Sequence, residues 1–228
     1  MKNAIALLCC SSLFLSASGM AFAQKAPGPG KRATPKTEDT ARVQSADEQP
    51  QVAIQMANDY FNASQVMTAD FVQIGADGRR SEGKLYVSKP GRLRFEYAQP
   101  ATMEIIADGV SVAIRDRKLQ TQELYFINDT PLKFLLKAGV NLQRDVKIMS
   151  VSSDDKATTI DVEDTATFGG TSTIKLRFDK KSFSLKQWEV TDPQGYQTLV
   201  TLHNIDLNAT PDGNLFKIPS NNHFPFAN

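Results

Sequence analysis

The chain has 228 residues, with 26 Lys and Arg against 25 Asp and Glu, and 41% of its residues are hydrophobic. A formal charge of +1 excludes the basic excess that nucleic-acid-binding domains and polybasic membrane anchors need, so neither nucleic acid nor a membrane surface is an expected partner. The hydrophobic content can bury a core, which excludes wholesale disorder, and the length allows one large domain or two small ones.

Residues 1–23 have the features of a secretory signal peptide. Lys2 supplies the positive start, 4–15 is apolar, and Ala21-Phe22-Ala23 places small residues at the cleavage positions. The apolar run is shorter than the ~20 residues needed to span a bilayer. Cleavage would remove both cysteines, so the mature chain is expected in the periplasm without disulfides or thiolate metal ligands.

Residues 24–49 are rich in Pro, Gly, Lys and Thr and contain almost no large apolar residue, which predicts a flexible linker outside the fold. From residue 50 onward apolar residues recur at helical spacing, and this predicts an amphipathic helix over 50–65 at the start of a folded domain that spans 50–228. The apolar stripe of this helix consists of Val52, Ala53, Met56, Ala57, Tyr60 and Phe61.

After this helix the chain alternates between apolar and polar residues and is divided by turn residues, which predicts about eleven short antiparallel strands. The predicted strands are 68–74, 83–88, 92–97, 103–107, 110–115, 119–127, 144–151, 157–163, 172–179, 183–191 and 196–204. A second helix is predicted over 130–137, with Thr130 as its N-cap, Pro131 at its first position and Gly139 after its end.

A sheet of about eleven twisted strands must curl, and two or three short helices cover only part of its concave apolar face. Three architectures satisfy this pattern: a barrel with a filled core, a sandwich of two sheets, and a half-closed barrel with an apolar cavity under a helical lid. The periodicity of the sequence leaves all three open.

No catalytic or metal site is predicted. The two histidines, His203 and His223, lie apart in the sequence, and no G-x-S-x-G motif supplies a nucleophile. Carboxylates such as Asp154 flank predicted turns, where solvated acidic residues are common. The chain is therefore predicted to be no enzyme and to need no cofactor, and its sheet of alternating faces indicates binding.

The stretch from Gly83 to Pro100, GKLYVSKPGRLRFEYAQP, resembles the signature of the outer-membrane lipoprotein carrier family, LolA. In that family a hairpin ends in a basic residue plus Pro and continues through an aromatic-rich strand to a second Pro. An Asp108-Gly109 turn and the Thr130-Pro131 start of an apolar helix follow in the same order. The resemblance spans roughly residues 51–218.

This resemblance implies a mainly β fold, in which a single antiparallel sheet of about eleven strands forms a half-open barrel with a helical lid over an apolar cavity. It implies a periplasmic carrier that shields the acyl chains of lipoproteins and moves them from the inner to the outer membrane. The implied partners are acylated lipoproteins, an inner-membrane ABC transporter of the LolCDE type and an outer-membrane acceptor of the LolB type. A monomer is expected to suffice.

The resemblance also implies which residues form the cavity and the lid. These candidates are Leu85, Leu93, Phe95, Ile105, Phe134 and Leu135. Lys89 stands where the family typically has an Arg whose guanidinium holds the lid shut by bonding backbone carbonyls in the lid. The resemblance therefore implies that Lys89 is a lid latch that bonds within 130–139, and because Lys89 keeps the charge but lacks the planar fork, a weaker or differently aimed latch is expected. The alternative is that Lys89 is a solvated charge in a turn.

Two other functions on the same scaffold remain open. One is a module that binds lipid or lipoprotein to sense envelope stress, and the other is a carrier of another lipid, such as a glycolipid. A membrane anchor or an extra domain would distinguish the first of these from a carrier.

Overall fold

The computed structural model describes residues 38–131 and 133–220, and their side chains except those of 38–48, 134 and 135. The described strands are β1 (Val66–Ile74), β2 (Arg80–Ser88), β3 (Arg92–Tyr97), β4 (Met103–Asp108), β5 (Ser111–Asp116), β6 (Thr121–Phe126), β7 (Lys147–Ser153), β8 (Ala157–Thr167), β9 (Gly170–Asp179), β10 (Leu185–Thr191) and β11 (Gln197–Asp206). The described helices are α1 (Glu38–Ala63), α2 (Lys133–Leu136) and α3 (Leu142–Asp145), with 3-10 turns at Ile127–Asp129 and Gly213–Phe216. None of these helices is both long and apolar enough to cross a membrane.

All of these strands form one antiparallel sheet in the order β6-β5-β4-β3-β2-β1-β11-β10-β9-β8-β7. Strands β1 to β6 form one meander and β7 to β11 form another, and the two are joined where β1 pairs with β11. The edges are β6 and β7, and the segment between them crosses the concave face. The predicted half-open barrel of eleven strands is confirmed.

Alternation of apolar and polar residues sets the two faces of the sheet. In β3, Leu93, Phe95 and Tyr97 are buried, whereas the charged residues between them are partly exposed. The apolar residues of β9 are buried in the same way, and they are Ile174, Leu176 and Phe178. The inward positions predicted for both strands are therefore correct.

Aspartate side chains shape most of the hairpin turns. At each of five turns the carboxylate at the end of the first strand accepts hydrogen bonds from two backbone N–H groups of the turn, as in an Asx turn. These residues are Asp108, Asp116, Asp154, Asp179 and Asp192. Asp154 thus has the turn role that the sequence predicts for it.

Helix α1 differs from its prediction in two ways. It begins at Glu38, inside the 24–49 segment predicted as a linker, and it contains Pro50, which has no N–H to donate to the preceding turn. Its buried face includes Ile54, while Val52 and Met56 of the predicted stripe are exposed. The other half of the predicted stripe is correct, since Ala53, Ala57 and Phe61 are buried. The part of the predicted linker before residue 38 lies outside the described residues.

The helix predicted over 130–137 is shorter than expected. Among the described residues of this range only Lys133–Leu136 is α-helical, and the Thr130 hydroxyl donates to the Ile127 carbonyl, 2.7 Å away. The strand predicted to begin at 144 begins at Lys147, because Asn141 caps α3 by accepting from the Arg144 N–H. The capping hydrogen bond of Asn141 favours a helical turn at 142–145 over the predicted start of the strand.

Gly83 marks a close approach between β2 and β3. A Cβ at this position would lie 2.0 Å from the carbonyl oxygen of Glu96. We expect Gly83→Ala to lower the free energy of unfolding by about 3 kcal/mol, because the two backbones must separate. Gly139→Ala is the control, since a Cβ there meets nothing within 4 Å. Urea unfolding checks both, and equal stability of the two variants would contradict the expectation.

Candidate functional site: an apolar cavity under a tied lid

An apolar cavity of about 140 Å³ lies between the concave face of the sheet and the segment that follows β6. Its wall is built from inward-facing residues of β3, β4, β5, β10 and β11, and its rim from the ends of several hairpins and the start of the segment. The wall residues are Leu93, Phe95, Ile105, Ala107, Val112, Ile114, Trp188, Val190 and Val200, and the rim includes Tyr125, Thr130, Pro131, Phe168 and Tyr196.

The structure brings together three of the predicted cavity residues. Leu93, Phe95 and Ile105 line the cavity from β3 and β4. Leu85 does not, because it lines a second, smaller cavity of about 20 Å³ beneath α1, which Leu93 borders from the other side. Contact of any of these residues with an acyl chain remains a prediction.

The side chains of Phe134 and Leu135, the predicted lid residues, lie outside the described residues. Their neighbour in α2, Leu136, is 3% exposed and lines the larger cavity. The segment 127–136 therefore lies over the cavity, as a lid requires.

Sequence reasoning missed the part of the wall that comes from β10 and β11. Trp188, Val190 and Val200 line the cavity, and Trp188 pairs with Val200 across the two strands. Their alternation with polar neighbours marks them as inward-facing. No feature of the sequence, however, distinguishes a residue that lines a cavity from one that fills a core.

Aromatic rings pack against the wall residues of the cavity. The Phe95 ring meets Phe71 edge to face, with centroids 5.0 Å apart, and Trp188 in the same way at 6.4 Å. The Tyr97 hydroxyl donates to Gln73 Oε1 at 2.9 Å, and burial raises the pKa of Tyr97 above its usual range. Contacts among these rings fix the positions of the wall residues Phe95 and Trp188.

An ion pair ties the segment over the cavity to the far side of the sheet. Lys133 Nζ of α2 lies 2.9 Å from Asp164 Oδ1 of β8, and the two side chains are only 12% and 3% exposed. Lys133 also donates to the Ala166 carbonyl at 3.1 Å, and the Phe168 N–H donates to the Asp129 carbonyl at 2.8 Å. The start of the segment is thus bonded to the β8–β9 hairpin.

Two asparagines one turn apart in α1 hold the rest of the segment. Asn62 exchanges two hydrogen bonds with the backbone of Val140, at 3.0 and 2.7 Å. Asn58 accepts from the Leu142 N–H at 2.8 Å and donates to Gln143 Oε1 at 2.9 Å. Because α1 packs on the sheet through its buried face, it fixes the segment at its second end.

Lys89 bonds to α1, not within 130–139 as predicted. Its Nζ donates to the carbonyl of Phe61, in the last turn of α1, where carbonyls lack intrahelical donors and a cation is favoured. The adjacent Gly91 N–H donates to the Leu136 carbonyl at 2.9 Å, so the turn reaches the lid through its backbone.

Burial lowers the pKa of Lys89 from 10.5 to about 8. Between these values the unfolded chain holds a proton that the folded chain has lost, so stability rises with pH through this range. We expect this rise of stability with pH to be absent from Lys89→Met, which has no ammonium group at this position. Urea unfolding from pH 7 to 10 should therefore show wild type gaining stability relative to Lys89→Met above pH 8, and a constant difference would contradict the assignment.

The chemistry of the site is that of apolar binding. The cavity wall offers hydrocarbon and aromatic surface, and at its rim Asp192 Oδ1 accepts from the N–H groups of Gln194 and Tyr196 in a turn. Across 38–131 and 133–220, no group of three or more His, Cys, Asp or Glu side chains is placed to hold a metal ion.

Comparison with known proteins agrees with this geometry. Residues 62–219 match the family model of the outer membrane lipoprotein carrier protein LolA. The chain is 26% identical over 147 residues to the outer-membrane lipoprotein carrier protein of Leptothrix cholodnii, covering 63% of this chain and 68% of the relative. It is 24% identical over 174 residues to the protein of the same name from Dechloromonas aromatica, covering 72% and 82%.

Among solved structures, a LolA superfamily protein from Nitrosomonas europaea aligns with a TM-score of 0.42 and 10% identity, over 74% of this chain and 97% of the other. The family assignment rests on the sequence model, which covers more than half of the chain. The chain therefore belongs to the LolA family of outer membrane lipoprotein carrier proteins.

Proposed function

We propose that this protein is a periplasmic carrier that encloses the acyl chains of a lipoprotein in the apolar cavity and moves them from the inner to the outer membrane. The observation that carries the proposal is the cavity itself, walled by apolar side chains and covered by a segment bonded at both ends, in a member of the LolA family. The carrier role of its named relatives supports it.

The energetics of hydrocarbon transfer explain why such a carrier is needed. Burial of one acyl chain of about fifteen methylenes is worth roughly 12 kcal/mol, at about 0.8 kcal/mol for each. Escape of the chain into water is therefore very slow. Cargo must pass by direct contact from one apolar surface to another, and no covalent step is required of the protein.

The size of the cavity requires the lid to move. A volume of about 140 Å³ is close to that of an engineered protein cavity that admits benzene, and an acyl chain is several times longer than benzene. Loading must therefore displace the segment 127–136, which lies over the cavity, from the concave face. In our proposal this displacement breaks the ion pair between Lys133 and Asp164, because the pair joins α2 to β8.

The proposal includes partners and location. An inner-membrane ABC transporter of the LolCDE type would load the carrier, and an outer-membrane acceptor of the LolB type would unload it. Residues 1–23 would direct export to the periplasm, where the mature protein would act as a monomer. Membership of the LolA family and the signal-like N-terminus support this part of the proposal.

The position of Trp188 provides a direct test. It is the single tryptophan of the chain, it lines the cavity, and it is 2% exposed. A triacylated lipopeptide with brominated acyl chains should quench its fluorescence to saturation at one equivalent, because bromine quenches by contact. The same peptide without acyl chains should leave the emission unchanged.

The same titration separates the other functions on this scaffold. Quenching by brominated phospholipid or glycolipid, with none by the lipopeptide, would identify a carrier of another lipid and overturn the proposal. Quenching by the lipopeptide without release of lipoprotein from membranes would favour a sensor.

A further inference from the structure

The outer face of the sheet carries a covering segment of its own. Arg94 Nη1 donates to the Leu215 carbonyl at 3.2 Å, and the Arg92 guanidinium lies 5.8 Å from the centroid of the Phe216 ring. Both arginines alternate with the cavity residues of β3, so they point away from the cavity. The 3-10 turn at Gly213–Phe216 therefore packs on the convex side, against β3 and β4.

One row of paired residues crosses this face from β3 to β6. Arg94 pairs with Ile106, Ile106 with Ala113, and Ala113 with Leu124. Ile106 and Ala113 are 0% exposed, whereas Leu124 at the end of the row is 57% exposed. The convex face is therefore covered over β4 and β5 and becomes exposed at β6.

Leu124 belongs to an exposed apolar surface at the corner of the sheet, which we call the corner patch and define as Leu124 and Phe126, two positions apart on the same face of β6. Phe126 is 66% exposed. Val110, which is 67% exposed, follows the adjacent turn, and its carbonyl accepts from the Ile127 N–H at 3.1 Å. Exposed apolar surface of this kind usually has an occupant.

The direction of the chain points to that occupant. The chain leaves β11 at Asp206, passes β1 and β2, and lies against β3 and β4 by residues 213–216. The next strands in the same direction are β5 and β6. From β4 to β6 is about 10 Å, and the four residues from Ser220 to Phe224 reach about 13 Å when extended.

The sequence after Ser220 has the side chains that such a surface needs. Residues 221–228 read NNHFPFAN, with Phe224 and Phe226 two positions apart. Pro225 biases Phe224 to an extended conformation, in which residues two apart face the same way. Leu124 and Phe126 have the same spacing on β6.

We propose that residues 221–228 dock on the corner patch of the same molecule, with Phe224 and Phe226 covering Leu124 and Phe126. The docked segment continues the cover that the 213–216 turn begins. It also shields the outer side of an edge strand, where unpaired backbone groups and exposed apolar side chains together favour aggregation. This inference is independent of the proposed function, because it concerns the convex face.

A cysteine pair tests the docking in the full chain exported to the periplasm. Phe126→Cys with Phe226→Cys should form a disulfide within the monomer under mild oxidation, and peptide mapping should locate it between positions 126 and 226. Lys175→Cys with Phe226→Cys is the control pair, because Lys175 is exposed on β9, in the other half of the sheet. We expect no linkage there.

Two outcomes would overturn the proposal. Linkage found mainly in disulfide-bonded dimers would assign the patch to the tail of a second copy, and a yield no higher than that of the control pair would exclude docking. A second measurement does not depend on cysteines. Phe224→Ser with Phe226→Ser should speed hydrogen exchange over 121–126 by about tenfold, whereas Asn221→Ser with Asn222→Ser should not. Equal exchange in the two double variants would likewise overturn it.

Discussion

Ile105→Glu is expected to abolish acyl binding while the protein remains folded. Ile105 lines the cavity from β4 and is only partly buried, so a longer polar side chain can be accommodated without disturbing the aromatic rings that pack against the wall. An ionised carboxylate in an apolar cavity costs several kcal/mol when an acyl chain displaces its water. Quenching of Trp188 by the brominated lipopeptide should therefore weaken by about 100-fold or more.

The matched control for this variant is Ile74→Glu. Ile74 is 41% exposed at the end of β1 and contributes to neither cavity, so the same change there leaves the site intact. Urea unfolding of both variants separates loss of binding from loss of fold. Full quenching in Ile105→Glu, or equal loss in both variants, would contradict the assignment of this cavity as the binding site.

Lys133→Met is expected to release the lid and to destabilise the protein. It removes the ammonium from a pair in which Asp164 is 3% exposed, and this leaves a carboxylate buried without its partner. Breaking a buried ion pair in this way costs about 3 to 5 kcal/mol. Hydrogen exchange over 127–136 should rise, and the lipopeptide should load faster because the closed state is less populated.

Two further variants show whether the effect comes from charge. Lys175→Met removes an exposed pair with Glu189, at 3.6 Å and with side chains 52% and 28% exposed, and should cost no more than about 1 kcal/mol. Lys133→Met with Asp164→Leu should recover most of the lost stability, since an apolar pair replaces the unpaired carboxylate. A double variant no more stable than Lys133→Met would show that packing, and not charge, holds the lid.

The strands were predictable because their pattern is local. In β3 and β9 every second residue is apolar, and burial follows this alternation. The Asp residues at the hairpin ends bond to backbone N–H groups two to four positions further along the chain, so the turns can also be predicted from the sequence. These features give the strands, their turns and their inward faces, whereas the single sheet is what the resemblance to LolA implies.

The lid was harder to predict because its geometry depends on distant partners. Asn58 and Asn62 bond to backbone groups near residue 140, and Lys133 pairs with Asp164. No local pattern links such positions. Lys89 was expected to bond the lid, but the ammonium reaches the end of α1, which is a contact that only the packed structure defines.

The cavity posed a different difficulty. Trp188 and Val200 are inward-facing on any reading of β10 and β11, yet a wall and a core need the same apolar residues. The resemblance to LolA supplied the expectation of a cavity, and the structure locates it. Leu85 illustrates the limit, since it is as apolar as Leu93 but faces the smaller cavity beneath α1 alone.

The most direct test of the carrier is the release of lipoprotein from membranes. Purified protein without residues 1–23 is added to spheroplasts that synthesise a labelled lipoprotein, and the soluble fraction is analysed by size. We expect a soluble complex of one carrier with one lipoprotein for wild type and for Ile74→Glu, and none for Ile105→Glu. Lipoprotein that stays on the membrane with wild type, or that is released equally by Ile105→Glu, would contradict the proposed carrier function.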